Sequence, residues 1–152
     1  MNGHIFSAVL LAAVFVAAYA GEDKMNEKIQ KAFNNCKEKH NPPEGDLDMM
    51  KKKDLEFKYS KEAKCMIACM LEEGKILKDG KYNKENALVM SDVLHKDDAD
   101  EAAKARQVVE TCYKEHPEVG SDQCEYAYQL AICGGHEAKK LGMKDTPDFF
   151  NP

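Results

Sequence analysis

No strand-like alternation of apolar and polar residues runs through this sequence, and no Asn-x-Ser/Thr acceptor, Gly-x-Ser-x-Gly elbow or His-Glu-x-x-His pair occurs in it. The first absence argues against a β-fold, and the second removes N-glycosylation from the expected modifications. The last two leave no serine-hydrolase or zinc-hydrolase signature. Basic excess is missing too: 22 Lys and Arg face 27 Asp and Glu, a formal charge of −5. An acidic balance disfavours nucleic acid and anionic membranes as partners. Lys51-Lys52-Lys53 is the single basic cluster, and with Asp48, Asp54 and Glu56 beside it, it reads as one solvated face.

The first twenty residues contain no Asp, Glu, Lys or Arg. Residues 5–18 form an apolar stretch too short to span a bilayer comfortably, followed by Ala18-Tyr19-Ala20, a small-x-small cleavage signature. This predicts a secretory leader over 1–20 and a single domain over 21–152, with residues 142–152 as a tail. Secretion places the chain where disulfides persist. Six cysteines follow the leader, Cys36, Cys65, Cys69, Cys112, Cys124 and Cys133, and an even number in a small secreted chain reads as three bridges. A metal site fits poorly, because C-x3-C lacks a second closely spaced pair or histidines.

Apolar residues recur three and four apart, so the expected class is all-α. Met25, Ile29, Ala32, Phe33 and Cys36 stripe a helix over 23–40 that Asn41-Pro42-Pro43 stops. A short helix is expected near 46–53. Ser60 should cap the next helix, with Ala63, Met66, Ile67, Met70 and Leu71 on its apolar arc and Gly74 at its end, and Asp79-Gly80 should turn the chain. Residues 84–95 are apolar on several sides and are expected to be largely buried. Asp97, Asp98, Asp100 and Glu101 gather at the start of a helix that runs to about His116, where the positive end of the helix dipole favours carboxylates. Its buried stripe is Ala102, Ala105, Val108, Val109 and Cys112. Ser121 is expected to cap the last helix, and Gly134-Gly135, at about 1 kcal/mol each relative to Ala, favour a bend or an end there. Phe149 and Phe150 in the tail are expected to fold back over an apolar opening.

Helix geometry constrains the cysteines. Four residues rise about 6 Å, too far for the roughly 3.8 Å between Cβ atoms of a disulfide, so Cys65 cannot bond Cys69. Cys124 and Cys133, about 13 Å apart along one continuous helix, cannot meet either. Most of the fifteen pairings stay open, but Cys65 and Cys69 must reach different elements. Their helix is therefore the hub.

The order C-x28-C-x3-C-x42-C-x11-C-x8-C on an acidic helical chain behind a leader resembles the insect odorant-binding protein family, which includes the pheromone-binding proteins. The resemblance implies about six helices around an apolar cavity and interlocked bridges Cys36–Cys69, Cys65–Cys124 and Cys112–Cys133. It also implies a carrier of small apolar ligands with no cofactor and no catalysis, present in sensillar lymph or another secretion. Such a chain would act in olfaction or a related chemosensory role as a monomer or weak homodimer, delivering to an olfactory receptor or a membrane surface.

Methionine suits such a cavity's walls, and Met66, Met70 and Met90 lie on helices expected to face inward. By position relative to the cysteines, the resemblance adds Ile67, Leu71, Ile76, Leu77, Val109 and Leu130, then Phe57, Phe149 and Phe150. Ser91, Thr111, Tyr113 and Tyr126 are the candidate hydrogen-bond partners for a ligand. Of His40, His95, His116 and His136, His95 precedes the acidic cluster, and histidine charging would lower ligand affinity in acid. Two other functions compete: a membrane-active protein of saposin type, whose cysteine order differs, and a small lipolytic enzyme, for which only Ser60, Ser91 and Ser121 remain as serines after the leader.

Overall fold

The computed structural model describes residues 24–118 and 120–144. The expected leader over 1–20 and the tail phenylalanines Phe149 and Phe150 lie outside the described residues. Among the described residues the architecture is all-α with one small hairpin. The elements are α1 (24–40), α2 (Glu44–Lys51), α3 (Lys61–Glu73), β1 (Leu77–Lys78), β2 (Lys81–Tyr82), α4 (Lys84–Leu94), α5 (Ala99–Glu115) and α6 (Gln123–Lys140).

Local chemistry explains most boundaries. α1 ends as Asn41 takes a left-handed φ of 45° before the two prolines. Pro43 starts α2, and the buried Asp46 in its first turn accepts hydrogen bonds from the Ser60 amide at 2.8 Å and the Ser60 hydroxyl at 2.5 Å. Ser60 in turn accepts from the Ala63 amide at 3.2 Å, as an N-cap should. One buried carboxylate thus fixes the start of α3 from across the chain. Asp98 caps α5 by accepting from the Glu101 amide. At α6 the cap is Asp122, which accepts from the Glu125 amide, and not the expected Ser121.

Asp79 and Gly80, with φ of 52° and 72°, make the expected turn, and the structure adds that it closes an antiparallel hairpin of two-residue strands that pairs Leu77 with Tyr82, a turn geometry that matches strand twist. Strands of two residues are too short to leave an alternation in the sequence. Against the expected bend or end, α6 runs unbroken through Gly134-Gly135 to Lys140. A Cβ on Gly135 would lie 2.5 Å from a Leu55 methyl carbon, so the glycine permits the loop between α2 and α3 to close against α6.

α3 packs principally on α6, α6 on α5, and α5 on α4. Two buried clusters share α3. Phe33, Cys36, Leu47, Met50, Ala63, Met66 and Cys69 join it to α1 and α2, while Ala68, Leu77, Tyr126, Ala127 and Leu130 join it to the hairpin and α6. The bridges are Cys36–Cys69, Cys65–Cys124 and Cys112–Cys133, the pairing that the resemblance implied. α3 is the hub, tied to α1 and to α6. α4 departs from expectation: only Ala87 and Ser91 are buried, while Val89 is 60% exposed and Val93 39%. Apolar residues on several sides need partners on several sides; α4 packs on α5 on one side, Met90 and Leu94 border a small hollow, and Val89 and Val93 remain at the surface.

Candidate ligand-binding site

Two apolar chambers flank α3. The larger, about 330 Å³, is an open-mouthed hollow lined by Met50 of α2, by Lys53, Asp54, Leu55 and Tyr59 of the following loop, by Ile67, Met70 and Leu71 of α3, and by Tyr128, Ala131, Ile132 and Gly135 of α6. The smaller, about 210 Å³, lies between Lys28, Ile29 and Ala32 of α1, Met70, Leu71 and Glu73 of α3, Gly74 and Ile76 after it, and Met90 and Leu94 of α4. Met70 and Leu71 belong to both walls.

The polar groups of the larger chamber are few and held. Tyr59 donates its hydroxyl to the Asp54 carbonyl at 3.0 Å, and Tyr128 donates to the Phe57 carbonyl at 3.3 Å. The rings of Phe57 and Tyr59, and of Tyr59 and Tyr128, meet edge to face at 4.9 and 5.9 Å, a favoured aromatic geometry. Burial first, and then the Asp54 carboxylate, push the Tyr59 hydroxyl up to about 12, so it remains a phenol at any physiological pH. A phenol that donates one hydrogen bond still has lone pairs to accept one from a ligand's O–H or N–H. Lys64 sits 4.5 Å above the Tyr128 ring while bonded to Glu125 at 2.7 Å, which fixes the outer side of that ring.

Of the residues expected to line a cavity, Ile67, Met70 and Leu71 border the larger chamber, and Met70, Leu71, Ile76 and Met90 the smaller. Phe57 stands behind Tyr59. Met66, Leu77 and Leu130 are packed into the two buried clusters, and Val109 is buried on α5; none of these four is among the residues bordering either chamber. Tyr113 borders a different cleft of about 600 Å³ with Asp79, Lys81, Tyr82, Pro117 and Glu118, whose charged rim suits an apolar guest poorly. Two of the four candidate hydrogen-bond partners are engaged within the protein: Ser91 donates to the Ala87 carbonyl at 2.9 Å and Tyr126 to the His116 carbonyl at 2.8 Å. Thr111 is half-buried on α5.

Sequence reasoning missed Leu55, Tyr59 and Tyr128 as wall residues. The first two sit in a loop with no periodicity to reveal them, and Tyr128 lies on α6 without a signal that separates a wall residue from any other. Ile29 and Ala32 stand on the apolar stripe of α1, which shows that they face inward but not that they border a space. His40 ends α1, His95 and His116 follow the ends of α4 and α5, and the His136 Nε2 lies 3.7 Å from a Glu56 carboxylate oxygen. Glu115, His116 and Cys133 gather as a metal-ligand set would, but the Cys133 sulfur is bonded to Cys112 and cannot act as a thiolate. No helix among the described residues is long and apolar enough to cross a membrane.

Comparison with known proteins agrees with this geometry. The profile of the PBP/GOBP family matches residues 18–137. General odorant-binding protein 19d of Drosophila melanogaster is 28% identical over 150 residues, covering 95% of this chain and 97% of its own. The solved structure of odorant-binding protein OBP28a from Drosophila melanogaster superposes with a TM-score of 0.66 at 26% identity, over 81% of this chain and 99% of that one. Pheromone Binding Protein 3 of Epiphyas postvittana has the same fold, with a TM-score of 0.58 at 24% identity over 75% and 98% of the two chains. So does a fatty acid binding protein, OBP56a, from the oral disk of the blowfly Phormia regina, at 0.57 and 18% identity over 77% and 94%.

Proposed function

The chain belongs to the PBP/GOBP family, and from that premise we propose that it is a secreted, non-catalytic carrier that takes small lipophilic molecules such as odorants or pheromones into the chambers beside α3. The observation that carries this reading is the pair of hydrocarbon-walled chambers, of about 330 and 210 Å³, meeting at Met70 and Leu71. Together they suit a small guest, and each Å² of guest hydrocarbon taken from water contributes about 25 cal/mol. Among the described residues of their walls, none is set up as a nucleophile. Ser60 serves to cap α3, and Ser91 is buried and bonded within α4. That the similar proteins are named for odorant, pheromone and fatty-acid binding supports the same reading.

Displacement of an environment-sensitive fluorescent probe tests it, together with native mass spectrometry of protein from its own tissue before and after mild organic extraction. A co-purifying apolar molecule, or displacement by apolar compounds, is the expected result. A chain that is empty and ignores such probes sinks the proposal. Intact mass of the secreted protein should show a chain beginning at Gly21. Liposome binding by the purified protein would instead favour the membrane-active alternative.

Release in acid is part of the proposal: His136 lies 3.7 Å from a Glu56 carboxylate oxygen in the loop that walls the larger chamber, and His95 lies three residues before Asp98, whose carboxylate holds the Lys144 ammonium at 2.6 Å. Equal dissociation constants near neutrality and at about pH 5 would remove acid release from it. Delivery to a receptor or a membrane surface, as monomer or weak homodimer, completes the reading.

A further inference from the structure

We infer that Met70 is the chain-length determinant of this carrier: its side chain partitions the two chambers, and a guest too long for the larger one enters the smaller by turning it aside. The inference rests on the carrier reading and deepens it.

Three observations converge on this residue. Met70 and Leu71 border both chambers, which places their side chains where the two spaces come together. The backbone beneath them is fixed, because Cys65 and Cys69 on the same helix are bonded to α6 and α1. Only side chains can move there. Methionine is unbranched and has three rotatable bonds, whereas leucine branches at Cγ, so the movable part of the partition is Met70. The walls beyond it differ as the two ends of an elongated guest would require. On one side stand the Tyr59 and Tyr128 hydroxyls, whose oxygens can accept a hydrogen bond from a polar head. On the other, Ile29, Ala32, Ile76, Met90 and Leu94 offer hydrocarbon to a tail. The guest class that uses both is an unbranched aliphatic chain with one polar end.

The test is probe displacement from the disulfide-intact protein by a homologous series of linear primary alcohols. In the wild type, affinity should rise about threefold to fourfold per methylene while the larger chamber fills, and then rise less steeply once Met70 must be displaced. Met70→Ala should remove that break and increase the ratio of long-chain to short-chain affinity by about tenfold, the equivalent of roughly two methylenes. Adding Ala32→Leu, which fills the smaller chamber from α1, should restore the break. The proposal is overturned if Met70→Ala keeps the wild-type break, or if Ala32→Leu leaves the gain intact. Failure of every alcohol to displace the probe from the wild type would instead remove the carrier reading beneath it. Should Met70→Ala not fold, NMR of 13C-methyl-labelled methionine in the wild type decides: the Met70 methyl signal must shift with long alcohols and stay with short ones, and an equal response to both overturns the proposal.

Discussion

α3 with α6 and α4 with α5 are both packed helix pairs beside the chambers, yet they are held by different forces. The first pair carries the Cys65–Cys124 bridge, a shared buried cluster and the close approach of Leu55 to Gly135. The second has no disulfide between its members, buries only Ala87 and Ser91 from α4, and adds Lys84–Glu110 and Arg106–Asp92 ion pairs near the surface. Exposed ion pairs contribute little. The lesson is that rigidity is concentrated on one side of the binding region, and the outer wall of the smaller chamber is its soft side. Hydrogen exchange should show this directly, with α3 and α6 amides among the slowest and α4 opening first.

The sharpest way to break that contrast is to remove the staple. Its loop closes over 59 residues, so Cys65→Ala with Cys124→Ala should cost about 4 kcal/mol in the chain-entropy model, read from denaturant unfolding, and should bring α3 exchange close to that of α4. Gly135→Ala comes next. Helix propensity favours alanine by about 1 kcal/mol, while crowding Leu55 costs about 1 to 3 kcal/mol. The net loss should be about 0 to 2 kcal/mol, with a larger change in probe affinity as Leu55 is pushed into the larger chamber.

Acid tests both pairs together. The Lys64 ammonium bonded to Glu125, and the Arg106 guanidinium bonded to Asp92, hold those carboxyls below the usual carboxylate range. A lowered folded-state value means stability that is present above the unfolded value, about 4, and lost as pH falls through the folded one. α4 exchange should therefore accelerate below about pH 4 before that of α6, which keeps its disulfides. Simultaneous loosening would contradict the contrast. The smallest effect belongs to Val89→Ser, which should change stability by less than about 0.5 kcal/mol. A larger loss by thermal unfolding would mean that α4 is packed after all.

What could be read from sequence follows the same division. α3 announced itself through Ser60, its apolar arc and Gly74, because caps and periodicity are local. The bridges came from resemblance, since helix geometry alone left most pairings open. α4 was misjudged because an apolar composition does not say how many neighbours a helix has, and Val89 and Val93 had too few. Leu55 and Tyr59 were invisible as wall residues because a loop carries no period, and their role depends on a glycine 80 positions after Leu55 in the chain that could be read only as a helix breaker. Met66, Leu77 and Leu130 show the converse: inward-facing was legible, but whether such a residue packs solidly or borders an empty space depends on its neighbours.

The three bridges have one more consequence, for life in a fluid that contains proteases. The spans 36–69, 65–124 and 112–133 overlap end to end, so every peptide bond between Cys36 and Cys133 lies inside at least one closed ring. A single cut anywhere in that stretch, including the exposed Asp79-Gly80 turn, leaves both fragments covalently joined. Such a molecule can be nicked and still remain one covalent piece.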